Sequence, residues 1–252
     1  CKDDGPVADL LPRLTRRIVT YGFDETADVR GIDPVTDGQS GHCAVRYHVR
    51  GVPAGTGSGQ LTLAVPGRHN LQNALAAVAV GLEVGVPFDR IAAALSEFRG
   101  AERRYQIRGS IKGITVVDDY GHHPTEITAV LRAARDGHPA RIVAVFQPHR
   151  YRRTRDLLEE FGPALALADE VVLLDIYAAG EPPIPGITLD ALAAAVRRHV
   201  KSLHVVQDLD HAAQVVGLLA RPGDVVVTLG AGSIGTLPDR ILRVLGAEEV
   251  RS

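Results

Sequence analysis

The sequence predicts an α/β protein built as two successive regions, on three observations. From residue 101 onward, short apolar runs alternate with stretches of helical period, an order that builds a mostly parallel sheet with helices on both faces. Residues 1–66 instead carry strand-like runs broken by turn residues. Between the two, from Pro66 onward, apolar residues recur at helical spacing. A chain of 252 residues suits one large or two small domains with ample core.

In chain order, Val7–Leu14 is a short segment, followed by a strand at Ile18–Tyr21. His42–Arg50 and Gln60–Val65 read as further strands, separated by the Gly- and Pro-rich turn Gly51–Gly59. Leu71, Ala74, Leu75, Val78 and Leu82 mark a helix that Gly85 stops, and Ile91, Leu95 and Phe98 mark another over Pro87–Phe98. The charged stretch Arg99–Glu102 sets the boundary between residues 1–100 and residues 101–252. Strands then fit Ile107–Ile111, Ile114–Asp118, Arg141–Phe146, Glu170–Leu174, Leu203–Val206 and Asp224–Leu229. Helices fit Pro124–Arg135, Arg152–Leu167, Leu189–Val200, His211–Leu219 and Ile234–Leu245, a Rossmann-like alternation.

Composition excludes several function classes. A net charge of −2 gives no global basic field for nucleic acid, and no apolar run reaches membrane-spanning length. Cys1 and Cys43 make no disulfide framework and no CxxC pair for zinc, so a reducing cytoplasm is the expectation. The chain opens at Cys1, has no methionine and shows no signal peptide; it reads as a piece of a longer chain.

Polar chemistry concentrates at strand ends, where open α/β sheets bind ligands. Val117 leads into Asp118-Asp119-Tyr120-Gly121-His122-His123-Pro124-Thr125-Glu126, with Pro124 opening a helix. A structural turn needs only one cap, and Asp119 or Thr125 alone would serve. Phe146 leads into Gln147–Arg153, Leu174 into Asp175-Ile176-Tyr177, and Leu229 into Gly230–Ser233. Arg150, Arg152, Arg153 and Arg155 stand at the start of a helix, where the dipole disfavours cations. Some face water, but the cluster suits a carboxylate or phosphate held by guanidinium forks. Gly230-Ala-Gly-Ser-Ile-Gly235 has the GxGxxG spacing but lacks the βαβ unit and downstream acidic residue of a dinucleotide site. It reads as a tight turn, with NAD binding by a dehydrogenase as the lesser alternative. Asn70 has the propensity of an N-cap, and Asn73 lies one turn later on the same side.

Together Pro66–Ala76, Phe98–Tyr105, Asp118–Glu126 and Phe146–Asp156 resemble the Mur ligases of peptidoglycan synthesis, over essentially the whole chain. The branch that resembles it most adds L-alanine; the ligase that recycles murein tripeptide usually lacks the Thr-Glu ending and the Gln-Pro-His-Arg-Tyr run. Ser233 stands where the family commonly has Asp. The resemblance implies that residues 1–100 are the incomplete end of a central α/β ATPase domain. Residues 101–252 would then be the carboxyl-terminal domain. It implies ATP-dependent amide formation through an acyl phosphate, joining L-alanine to the muramoyl carboxylate of UDP-N-acetylmuramate. Carried over by position, Asn73 meets adenine, with Asn70 and His69 near the nucleotide. Arg104 reaches phosphate, and Asp119 accepts from ribose hydroxyls. Tyr120, His122, Arg150 and Arg153 face the muramoyl carboxylate and the alanine, with Arg150, Arg153 and His122 in catalytic roles. Mg2+ is implied as well, on ligands outside this sequence. GxxxxGK[ST] does not occur here, so this piece alone is expected to be inactive, a nucleotide- and substrate-binding module.

Overall fold

The computed structural model describes residues 1–137 and 141–247. They form two compact units, Cys1–Arg99 and the chain from Gly100 onward.

The first unit opens with a short helix, α1 (Gly5–Leu10). Four strands follow, β1 (Tyr21–Gly22), β2 (Val29–Thr36), β3 (Gly41–His48) and β4 (Thr56–Leu63). They pair in sequence order, β1–β2 parallel and the rest antiparallel. Alternate residues Cys43 and Val45 of β3 and Leu61 and Leu63 of β4 point inward, the period-2 pattern of a sheet with one covered face. The cover is α2 (Arg68–Glu83) and α3 (Phe88–Glu97), which bury Leu71, Leu75, Val78, Leu82 and Phe88 against those strands.

The second unit is a six-stranded sheet. Its strands are β5 (Gln106–Ile111), β6 (Ile114–Asp119), β7 (Ile142–Phe146), β8 (Glu170–Leu173), β9 (Leu203–Val205) and β10 (Val225–Leu229). The spatial order is β5-β6-β10-β7-β8-β9, with only β5 antiparallel. Helices α4 (Pro124–Gly137), α6 (Leu158–Leu165) and α7 (Leu189–Arg197) cover one face through Ile127, Leu131, Phe161, Leu192 and Val196. Helices α8 (Leu209–Leu219) and α9 (Leu237–Ala247) cover the other through Ala212, Val216, Leu237 and Ile241. Strands β7 and β10, covered twice, are buried at every residue and hence continuously apolar save Thr228. The short helix α5 (Tyr151–Asp156) follows β7. Because β10 returns between β6 and β7, the chain reverses direction across the sheet there, which opens a crevice at the carboxyl ends of those strands.

Several elements differ from the sequence reading. Strand β2 is hidden in the sequence because Asp33 takes φ 49° and Pro34 follows it, so the register slips between Ile32 and Val35. Only Tyr21 of the Ile18–Tyr21 run pairs. The helix expected over Arg152–Leu167 breaks at Leu157, with φ −117° and ψ 17°, which lets Leu157 and Leu158 both pack on the core. Asn70 is not an N-cap. Gly67, at φ 96°, occupies that position, and the Asn70 amide donates to the Pro66 carbonyl at 2.7 Å.

Candidate active site

The loops after β6, β7, β8 and β10 meet at one edge of the second unit, as parallel strands require. The β6 loop is built from its carboxylates. Asp119 is 2 % exposed, and its two oxygens accept from the backbone amides of Tyr105 (2.7 Å) and Gly121 (2.6 Å). Burial pushes its carboxyl up to about 6, against those two amides and Arg104, which favour the ionised form. The family resemblance implies a ribose-binding role for Asp119, but its carboxylate is turned inward and serves the loop. Glu126, third in α4, accepts from the amides of His122 (3.0 Å) and His123 (3.1 Å). Burial works to raise its pKa, but these two amides, His122 and Arg104 leave it lowered. The His123 ring accepts from the Thr125 amide, so the second histidine of the pair caps the helix start.

This scaffold leaves Tyr120 exposed and His122 half-buried at the edge. His122 Nδ1 lies 3.0 Å from the Tyr120 carbonyl, which can only accept, so Nδ1 carries the proton and Nε2 holds the lone pair when the ring is neutral. From α5, Arg153 donates to Nδ1 of His149 in the β7 loop at 3.1 Å, so there the proton of the neutral ring sits on Nε2. Both imidazoles are held below their ordinary value, first by burial and then by the cations around them. Arg153 and Arg104 act on His122, and His122, Arg153 and Arg150 on His149. The rings form a continuous line. Tyr120 meets His122 edge-on at 5.4 Å, His122 lies 5.6 Å from His149, and His149 stacks on Tyr177 at 5.6 Å and 14°. The last contact is fixed by backbone, since Arg150 N donates to Tyr177 O and Tyr177 N to Pro148 O, both at 2.8 Å.

Among the arginines, Arg155 pairs with its neighbour Asp156 and adds nothing to the ring line. Arg150 is exposed at the edge with φ 74°, a left-handed conformation a side chain adopts at a cost. Arg104 is half exposed, 3.6 Å from Glu126 and 5.7 Å from the Tyr120 ring. The glycine run is closed by the protein's own side chains. Gln147 Oε1 accepts from the Ile234 amide, Arg103 donates to the Gly230 carbonyl, and Tyr177 lies where a Cβ on Gly232 would be, 2.5 Å away. That filling accounts for the glycines without a dinucleotide. Ser233 exchanges hydrogen bonds with Gln147.

In the first unit, His69, Asn70 and Asn73 share the opening turns of α2, with Asn73 exposed. Among the described residues, no group of three or more His, Cys, Asp and Glu gathers to hold a metal ion. Sequence reasoning gathers Glu126, His149 and Tyr177 into the strand-end loops by their positions but gives none of them, nor Arg103, a role of its own. Those roles rest on contacts between loops that spacing does not report.

The Mur ligase, glutamate ligase domain profile matches residues 103–232. The UDP-N-acetylmuramate–L-alanine ligase of Geotalea uraniireducens is 43% identical over 97% of this chain and 52% of its own length. That of a Geobacter species is 44% identical over 99% and 53%. Among solved structures, the UDP-N-acetylmuramate–alanine ligase of Thermotoga maritima superposes with a TM-score of 0.76 at 27% identity, over 98% of this chain and 51% of that one. The murein peptide ligase of Psychrobacter arcticus gives 0.65 at 25%, over 90% and 46%. The chain thus spans about half the length of the relatives it matches. With a profile match across the strand-end cluster and relatives aligned over nearly all of its residues, this chain belongs to the Mur ligase family.

Proposed function

We propose that this chain is a portion of an ATP-dependent ligase that joins L-alanine to the muramoyl carboxylate of UDP-N-acetylmuramate in peptidoglycan synthesis. The observation that carries the reading is the line Tyr120–His122–His149–Tyr177 flanked by Arg150 and Arg153 at the strand-end crevice. Guanidinium groups at such a place suit a carboxylate in bidentate geometry and offset charge that develops as it reacts. The lone pair on neutral His122 Nε2 can accept the proton that the attacking amine must shed, and the N–H of His149 Nε2 can donate a hydrogen bond to an oxygen that gains charge.

In this reading residues 1–100 close a central ATP-binding domain and residues 101–252 are the carboxyl-terminal domain. ATP supplies the phosphoryl group that activates the carboxylate. His69, Asn70 and Asn73 serve the nucleotide, and the exposed Asn73 amide suits a base edge. Arg104, half exposed and 3.6 Å from Glu126, would serve a phosphate on leaving that carboxylate, and Asp119 contributes by holding the loop between the two. Mg2+ would accompany the nucleotide on ligands outside this sequence, where its charge would offset that of the phosphates. The setting is the cytoplasm. No nucleic acid or membrane takes part, and among the described residues no helix is long and apolar enough to cross a membrane.

The test supplies ATP and UDP-N-acetylmuramate to the full-length protein, with L-alanine in one arm and murein tripeptide in the other. Mass spectrometry of an L-alanyl product formed with stoichiometric phosphate supports the reading. Turnover only in the tripeptide arm replaces it with the recycling ligase, and turnover in neither refutes it. The 252-residue chain, run beside it, releases no phosphate, since GxxxxGK[ST] does not occur in it.

A further inference from the structure

The second unit spends one cation where a glycine-rich turn in other folds receives phosphate. Arg103 takes φ 55°, a left-handed backbone that turns its side chain back over the sheet. Its Nε donates to the buried Asp118 at 2.9 Å, and its Nη2 donates to the Gly230 carbonyl at 2.6 Å. Asp118 is itself tied to β10, where Thr228 Oγ1 donates to its other oxygen at 2.8 Å. The guanidinium therefore spans β6 and the turn after β10, the two strands that flank the crevice on that side. A Cβ on Gly235 would stand 2.7 Å from its central carbon, so the glycine is spaced for this arginine. The same residue governs Tyr120. The Arg103 carbonyl accepts from the Tyr120 amide at 2.6 Å, and its guanidinium sits 5.3 Å from the Tyr120 ring centroid.

We propose that Arg103 is a positioning residue for the ligase reaction. It fixes Tyr120, and through Tyr120 the edge contact to His122, by locking the turn at Gly230 to the carboxyl end of β6. The inference rests on the function proposed above and adds a residue that touches no substrate. Arginine is needed because one planar group must serve a carboxylate and a carbonyl at once. A lysine keeps the charge beside Asp118 but cannot reach both acceptors.

The experiment uses the full-length protein with Arg103→Lys, Gly235→Ala and Tyr120→Ala, alone and with Arg103→Lys joined to Tyr120→Ala. Arg103→Lys lowers kcat with L-alanine about tenfold or more while the KM for ATP stays within about twofold and Tm falls little. Gly235→Ala, which pushes the guanidinium off Gly230 with the arginine intact, reproduces that split. The double variant is no worse than Tyr120→Ala alone, because the two act as one unit. Additive losses, an unchanged kcat in Arg103→Lys, or losses that track Tm in both Arg103→Lys and Gly235→Ala would overturn the proposal. If the unaltered protein makes no alanyl product, the functional reading fails instead, and the two failures are distinct.

Discussion

Replacing Arg150 by glycine separates what its side chain does for the fold from what it does for a substrate. Its φ of 74° and ψ of 136° lie outside the left-handed helical well, in a region that costs a non-glycine residue about 1–3 kcal/mol. Glycine relieves that strain but enlarges the unfolded ensemble by about 0.4–1 kcal/mol, leaving a net gain of roughly 0.5–2 kcal/mol. The local hydrogen bonds survive, because Arg150 N donates to Tyr177 O and Arg150 O accepts from Thr154, all through backbone at position 150. For a unit of this size, about 2–4 °C accompanies each kcal/mol, so Arg150→Gly raises Tm by roughly 1–8 °C. Arg150→Ala keeps the strain and leaves Tm within about 2 °C. Kinetics in the full-length ligase move the other way. If Arg150 holds the muramoyl carboxylate as proposed, a charge-assisted bond of about 1.5–3 kcal/mol is lost in both, cutting kcat/KM about tenfold to a hundredfold or more. Calorimetry beside initial-rate measurements decides the matter. A glycine variant several degrees less stable, or an alanine variant of full activity, would show that Arg150 serves the fold.

Three further outcomes follow from the same edge. Asp119→Asn offers one acceptor to two amides and destabilises the unit by about 1–3 kcal/mol in urea titrations at pH 7. With the native carboxyl raised to about 6, the native state holds a proton the unfolded chain has lost. Asp119 therefore makes stability decline as pH rises from about 4 to about 6, and a variant with the wild-type slope would count against this. His122 and His149 titrate below 6.5 by NMR, so the unfolded chain takes up more protons and their contribution is lost as pH falls below that value. A value above 6.5 for either ring would break the neutral pair. Millimolar NAD leaves Tm unmoved, because Arg103, Gln147 and Tyr177 fill the glycine turn. A saturable shift, about 2.7 kcal/mol at a hundredfold excess over Kd, would reverse that conclusion.

Periodicity alone is enough for the sheet of the second unit, since strands covered on both faces must be apolar runs and β7 and β10 are. It fails where a local irregularity hides the period, as at Asp33-Pro34 in β2 and at Leu157 between α5 and α6. The strand-end loops can be found by composition, but not the division of labour within them. Of two adjacent histidines, His122 faces the edge and His123 caps a helix, and of two adjacent aspartates each is committed to a different partner set. Those choices depend on φ values at Arg103 and Tyr105 and on hydrogen bonds from residues far away in sequence, which no spacing rule reports.

The two units share no strand or helix. The first holds one apolar core, between β3, β4, α2 and α3, and the second holds two, one on each face of its single sheet. Where the two units melt independently, the endotherm of this polypeptide is a superposition of two components, and a van't Hoff enthalpy fitted to one sigmoid falls short of the integrated heat. In that case substitutions at Arg103, Asp119 or Arg150 displace only the component belonging to the six-stranded sheet, leaving the other as an internal thermometer within the same scan.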